Sequence, residues 1–117
     1  MGKSILQEKS YLFALRMVKL SEYLNNERKE FVLARKVLDP GTNIGVFIEE
    51  ANQASDHTDF IGKFSIANKE AFKTNFWLRL IRDSEFISDK PAESLISDCE
   101  ELQKMLISSL KTARSRE

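Results

Sequence analysis

The feature that most constrains the fold is a long run of small and apolar residues in the middle of the chain. They recur at alternating steps of four and three residues, which keeps them on one stripe of an α-helix. Asp56 and Asp59 precede the run in an arrangement typical of an N-terminal cap. We therefore predict a helix over residues 57–86. Its stripe consists of Phe60, Phe64, Ala67, Ala71, Thr74, Leu78 and Ile81.

Three further stretches show helical spacing, and they predict helices over about residues 4–25, 27–55 and 91–114. The chain of 117 residues has only two prolines and four glycines, so few positions force a long helix to stop. Asn25 and Asn26 are interpreted as the turn and N-cap between the first two helices. The inward stripes are Leu6, Ser10, Phe13, Met17, Leu20 and Leu24 in the first helix and Leu95, Cys99, Leu102, Leu106 and Ala113 in the last.

The second predicted helix contains the sequence Asp39-Pro40-Gly41. Proline lacks an N–H group and disfavours helix at the residue before it. We therefore expect a kink near Pro40, with a break at residues 39–41 and Asp39 capping the restart. The apolar stripe of this helix is expected to comprise Phe31, Ala34 and Leu38 before the break and Ile44, Ile48, Ala51 and Ser55 after it.

Length and connections then define the fold class. A chain of 117 residues suits one domain, residues 1–117, with one core. Short connections between helices of similar length make sequence neighbours antiparallel. The prediction is an all-α, antiparallel up-down-up-down, left-handed four-helix bundle.

The third helix is apolar on more of its circumference than one bundle seam can bury. Ile61, Phe72 and Phe76 project to one side of its stripe, and Trp77 projects to the other. Such a helix is either covered by neighbours in the same chain or pressed against another subunit. We expect the second arrangement, a homo-oligomer with these four residues at its interface.

The charges balance overall but are unevenly distributed. With 18 basic and 18 acidic residues, the chain has no global field that draws it to nucleic acid. One basic face can still neutralise phosphates. The alternative is a solvated helix face, since Glu27 and Glu30 interrupt it. The candidate nucleic-acid-binding residues are Arg16, Lys19, Arg28, Lys29, Arg35 and Lys36.

The sequence contains no recognisable set of catalytic or metal-binding residues. The single histidine, His57, falls in a predicted turn, and there is no cysteine pair or glycine-rich phosphate loop. We predict no enzyme activity, no cofactor, no metal and no small-molecule substrate. A polar network along the second and third helices is interpreted as fixing helix register or subunit pairing. Its members are Glu50, Lys69, Glu70 and Thr74.

The compartment follows from cysteine usage and hydropathy. Cys99 is the only cysteine, so no internal disulfide forms, and we interpret it as a core residue of a cytoplasmic protein. No apolar run reaches the roughly 18 to 20 residues of a membrane span, and the first residues lack a secretory core. We expect no membrane association.

Several short runs point to a known family. They are Glu8-Lys-Ser10, Gly41-Thr-Asn-Ile-Gly45, Ile48-Glu-Glu-Ala51, Asp59-Phe-Ile61, Lys69-Glu-Ala71 and Trp77-Leu-Arg-Leu80. The chain resembles the bacterial four-helix-bundle proteins encoded in 23S rRNA intervening sequences. That resemblance implies a ring-shaped homopentamer without enzyme activity. The family is also similar to the accessory proteins of diversity-generating retroelements, basic pentameric bundles that bind a reverse transcriptase and nucleic acid.

These observations together predict a non-enzymatic, oligomeric binding or scaffold protein. Its partner is expected to be RNA or a nucleic-acid-processing enzyme, bound through the basic face. The alternative is an interaction module that binds only proteins and makes no contact with nucleic acid.

Overall fold

A computed structural model describes residues 4–116 and shows four helices in this part of the chain. In chain order they are α1 (Ile5–Asn26), α2 (Phe31–Asn52), α3 (His57–Asp83) and α4 (Asp89–Arg114). Residues 4–116 contain no strand, and their principal extents are 47 × 23 × 19 Å. The predicted all-α four-helix bundle is confirmed. Within residues 4–116, no helix combines the length and the hydrophobicity that a membrane span requires.

The ends of α1 and α3 have capping side chains. Ser4 accepts a hydrogen bond from the backbone N–H of Gln7, and the Gln7 side chain accepts one from the N–H of Ser4. At α3, the Asp56 carboxylate accepts from the N–H of Asp59 at 2.8 Å, as predicted from the aspartate pair. These contacts satisfy N–H groups that lack a partner in the first turn of a helix. Helix α3 ends at Asp83, before Glu85 adopts a left-handed φ of 64°.

The connection between α1 and α2 differs from the prediction. Asn25 and Asn26 belong to the last turn of α1, and α2 begins at Phe31 rather than at residue 27. Lys29 has a left-handed φ of 53°, which stops one helix before the next begins. Glu30 is the N-cap, and its carboxylate accepts from the N–H groups of Val32 and Leu33.

The predicted break at residues 39–41 is wrong, because α2 runs continuously through Pro40. A β-carbon on Gly41 would lie 2.5 Å from Met17 Cγ, so this glycine lets α1 and α2 approach closely. The inward stripe also passes through Gly41 without a change of spacing, and its burial offsets a proline cost of about 3 kcal/mol. Val37 therefore lies on the stripe, while Phe31 is exposed and Leu38 is half-buried. The stripe is Ala34, Val37, Gly41, Ile44, Ile48 and Ala51.

Each helix packs against two others in a closed circuit. The contacting pairs are α1 with α2, α2 with α3, α3 with α4, and α1 with α4, and within residues 4–116 α1 and α3 do not meet. Asn43 pairs with Glu70 and Glu50 pairs with Lys63, so a later residue of α2 meets an earlier residue of α3. These two helices therefore run in opposite directions. One hydrophobic cluster draws members from all four helices.

Candidate interaction surfaces

The side of α3 that faces away from the core is largely apolar. Phe72, Phe76 and Leu80 are 54%, 49% and 38% exposed, although Leu78 on the inner side is fully buried. Lys69 and Lys73 flank the apolar residues on the same side of the helix. We call these five residues the α3 outer face.

Two of the four predicted interface residues lie elsewhere. Ile61 and Trp77 are partly buried and pack against the core of their own chain. The Trp77 ring contacts Phe76 edge-on at 5.2 Å between centroids, and Lys36 Nζ lies 6.0 Å from its centre. Leu80 was not predicted to lie on this surface. Helical spacing in the sequence could have placed it there, because Leu80 is one turn from Phe76 and about 40° away around the helix.

A second apolar surface, on α1, was missed by the sequence analysis. Tyr11, Leu12, Leu15 and Val18 are 57%, 60%, 46% and 43% exposed. All four point away from the inward stripe, which occupies the opposite side of the same helix. We call these four residues the α1 outer face. The spacing search detected only the inward stripe of α1, since it sought one apolar side per helix.

Two of the predicted nucleic-acid-binding residues form polar contacts within the chain. Arg16 forms an ion pair with Asp98 of α4. Arg28 donates hydrogen bonds to the backbone carbonyls of Glu85 and Phe86 at 3.1 and 2.6 Å, and its guanidinium lies 5.3 Å from the Phe86 ring centre. Arg28 therefore joins the α1–α2 connection to the α3–α4 connection. Both charges are largely satisfied before any partner arrives.

The other four basic residues are exposed and form no ion pair within residues 4–116. Arg35 and Lys36 are in the first turns of α2, and Lys29 is in the connection that precedes this helix. Lys19 is separate from them. It lines a groove of about 450 Å³ between α1 and the start of α4, together with Arg16, Tyr23 and apolar side chains. The predicted basic face thus divides into a cluster of Lys29, Arg35 and Lys36 and the separate Lys19.

The predicted polar network is only partly assembled. Glu70 is buried, and its carboxylate accepts from Asn43 Nδ2 at 3.2 Å and from Lys73 Nζ at 2.9 Å. Thr74 donates to the backbone carbonyl of Glu70 at 2.8 Å. Lys69 has no bond to this group, and Glu50 instead pairs with Lys63 at 3.5 Å. The assembled part holds α2 against α3.

The side chains most often used in catalysis have structural contacts. His57 Nε2 lies 2.9 Å from the Ala113 carbonyl oxygen. Burial raises the pKa of the Cys99 thiol from 9.0 to about 12, and its Sγ donates to the Ala71 carbonyl at 3.4 Å. A thiol with that pKa is protonated at neutral pH and is a poor nucleophile. Residues 4–116 contain no group of three or more histidine, cysteine, aspartate or glutamate side chains able to hold a metal ion.

Comparison with known proteins identifies a family and closely similar solved structures. The model of the family described as 23S rRNA-intervening sequence protein matches residues 3–108. A crystal structure from Bacteroides thetaiotaomicron, described as a protein with unknown function from the S23 ribosomal protein family, is 45% identical. The similarity covers 92% of this chain and 96% of that chain, with a TM-score of 0.90. The sequence has no significant match among curated proteins.

Proposed function

Because the chain belongs to the family of 23S rRNA-intervening sequence proteins, we propose that it is a non-enzymatic, homo-oligomeric binding or scaffold protein. The observation that carries this proposal is the α3 outer face. Phe72, Phe76 and Leu80 stay in contact with water although the inner side of the same helix completes the core. The buried, unpaired Cys99 suits a reducing compartment, and we place the protein in the cytoplasm.

Burial of the α3 outer face would supply a substantial driving force for association. Fully burying a large apolar side chain is worth about 1.5–3 kcal/mol, and both Phe72 and Phe76 are about half exposed. Clustered apolar residues of this kind mark interaction surfaces, whereas a single exposed one is ordinary. Aromatic residues are also enriched at the energetic centres of protein interfaces.

Native mass measured by light scattering tests the proposal. We expect the wild-type protein to have a mass of about five chains, as the family resemblance implies, and Phe76→Glu to dissociate it. The matched control is Ile107→Glu, because Ile107 on α4 is 47% exposed against 49% for Phe76 but has polar surroundings. This control should keep the wild-type mass. A wild-type protein that stays monomeric at high concentration would overturn the proposal.

RNA is the partner that we propose for this oligomer, on the basis of the cluster formed by Lys29, Arg35 and Lys36. These side chains are exposed and form no ion pair within residues 4–116, which leaves their charges available to phosphates, although Lys36 also lies over the Trp77 ring. An oligomer repeats the cluster in every copy, which strengthens the local field although the net charge of the chain is zero.

Fluorescence anisotropy with a labelled single-stranded RNA at several salt concentrations tests this second step. Replacing Arg35 and Lys36 together by glutamate should weaken binding and flatten its salt dependence, by about 0.7 in log–log slope for each lost phosphate contact. Lys104→Glu combined with Lys111→Glu is the control, since both lysines are exposed on α4. Equal binding by both double variants would refute the RNA site. Partner capture that resists nuclease would then favour the protein-only interaction module.

A further inference from the structure

We propose that the α3 outer face of one copy packs against the α1 outer face of the next copy. The contact joins two different surfaces, so every copy in the assembly uses both. The proposal rests on the homo-oligomer proposed above and specifies how its copies meet.

The position of the two faces in the bundle is the first argument. Helices α1 and α3 both contact α2 and α4 but not each other, so their outer faces point away from opposite sides of the molecule. A contact of α3 with α3 would leave Leu12 and Leu15 of both copies in water. A contact of α1 with α3 covers both apolar faces through one type of interface. Interfaces between unlike surfaces generate closed rings when the rotation between copies closes.

The heights of the residues along the bundle give the second argument. Met17 lies against Gly41, and Asn43 is bonded to Glu70, so Met17 of α1 and Phe72 of α3 are at nearly the same level. The contacts of α4 give the same relative level of α1 and α3. Arg16 pairs with Asp98, and the next residue of α4, Cys99, contacts Ala71. Two copies placed side by side in the same direction therefore bring Leu15 and Val18 of the α1 outer face level with residues 70–73 of α3, the stretch that contains Phe72.

Charge complementarity is the third argument. The α3 outer face contains Lys69 and Lys73 and no acidic residue, so two α3 faces in contact would bring like charges together. In the side-by-side arrangement Glu22 of α1 reaches the level of Trp77, between Lys73 and Arg79 of the next copy. Lys19 falls level with the phenylalanine rings, where a cation is attracted to the ring face. Opposite charges at the rim fix the choice of partner surface.

A mixing experiment with two damaged variants tests the pairing. Leu15→Glu removes the α1 outer face, and Phe76→Glu removes the α3 outer face. Each variant alone should be monomeric, and their mixture should form a dimer of one copy of each, because one intact face of each kind remains. A mixture of Leu15→Glu with Leu12→Glu is the control, and it should stay monomeric. Circular dichroism and thermal unfolding establish that each variant is folded.

The possible outcomes separate this proposal from the one on which it rests. A monomeric wild-type protein overturns the homo-oligomer itself. An oligomeric wild type with Leu15→Glu of unchanged mass overturns only the pairing and shows that α1 is outside the interface. A mixture of Leu15→Glu and Phe76→Glu that stays monomeric also overturns the pairing.

The mixed dimer also allows a test of the charge argument. Glu22→Lys, added to the copy with Phe76→Glu, should weaken the dimer about threefold to fivefold, as expected for an exposed ion pair. Arg79→Glu, added to the copy with Leu15→Glu, should restore the affinity, because Arg79 is exposed on α3 and forms no ion pair within residues 4–116. If the two changes weaken the dimer independently, Glu22 does not face Arg79, and the side-by-side arrangement is wrong.

Discussion

Helices α3 and α4 lie side by side and have nearly equal lengths, 27 and 26 residues, but their outer sides are different. The outer side of α4 is polar, and Ile107 is the one large apolar residue exposed on this helix. The outer side of α3 exposes Phe72, Phe76 and Leu80. The polar residues of the α4 outer side include Ser94, Ser97, Glu100, Glu101, Lys104 and Ser108.

The difference teaches that the core of the bundle does not account for every large apolar residue of the chain. Both helices contribute a fully buried inner stripe, which is all that a four-helix bundle requires. Helix α4 shows the polar outer side that results when water is the only neighbour. The apolar outer side of α3 therefore adds nothing to the core of its own chain, and the assembly proposed above would account for it.

The largest expected effect tests whether the inner sides of the two helices are equivalent. Leu78→Ala on α3 and Leu106→Ala on α4 each create a cavity at a fully buried position. Each should lower the free energy of unfolding by about 2–5 kcal/mol. Urea unfolding in the Phe76→Glu background removes the contribution of assembly. A cost below about 1 kcal/mol for one of them would show that its inner stripe is loosely packed.

The next comparison concerns the buried polar side chains, Glu70 on α3 and Gln103 on α4. Glu70 accepts from Asn43 and Lys73, whereas Gln103 accepts from Asn75 at 3.0 Å. Removing Gln103 breaks this one bond between neutral groups, whereas removing Glu70 breaks two bonds to a carboxylate, one of them from a lysine. Glu70→Ala should therefore cost about 1–3 kcal/mol of unfolding free energy, and Gln103→Ala should cost less. Equal costs would show that the bonds to Glu70 contribute little.

The sequence predicted the inward stripes of α1, α3 and α4 well, because helical spacing directly reports which side of a helix is buried. The capping aspartate of α3 and the burial of Cys99 were predicted for similarly local reasons. The break at Pro40 was wrong for a tertiary reason. Close contact between Gly41 and Met17, together with burial on both sides of the proline, outweighs its local preference.

The candidate sites were harder to predict because they depend on which helices are neighbours. Arg28 looked free in the sequence, but its guanidinium binds carbonyls 57 and 58 residues away. Arg16 is likewise paired across the bundle, with Asp98. The α1 outer face was missed since Leu12 and Leu15 differ from core leucines only in the side of the helix they occupy.

The burial of Cys99 of α4 against Ala71 of α3 also predicts that the free energy of unfolding depends on pH. The pKa of Cys99 is about 12 in the folded protein and 9.0 ordinarily, so the unfolded chain loses this proton first as pH rises. Stability from this group is complete below pH 9 and falls by about 1.4 kcal/mol per pH unit between the two values. In the Phe76→Glu background, the Cys99→Ala variant should therefore lose less stability from pH 8 to pH 10 than its parent, as measured by urea unfolding. Parallel losses would show that the thiol is not held protonated.

The smallest expected effect uses Gly62, which lies on the outer side of α3 where a β-carbon would meet no atom within 4 Å. Glycine inside a helix costs about 0.5–1 kcal/mol relative to alanine, so Gly62→Ala should stabilise the Phe76→Glu monomer by that amount. Ser97→Ala on α4 controls for helix propensity alone.

In the wild-type protein, assembled as proposed, the two substitutions should differ in their effect on association. If the next copy approaches α3 closely at Gly62, the methyl group that Gly62→Ala adds will weaken association. Ser97→Ala should leave association unchanged. Equal association by both variants would place Gly62 outside the interface and limit the contact to the half of α3 that contains Phe72 and Phe76.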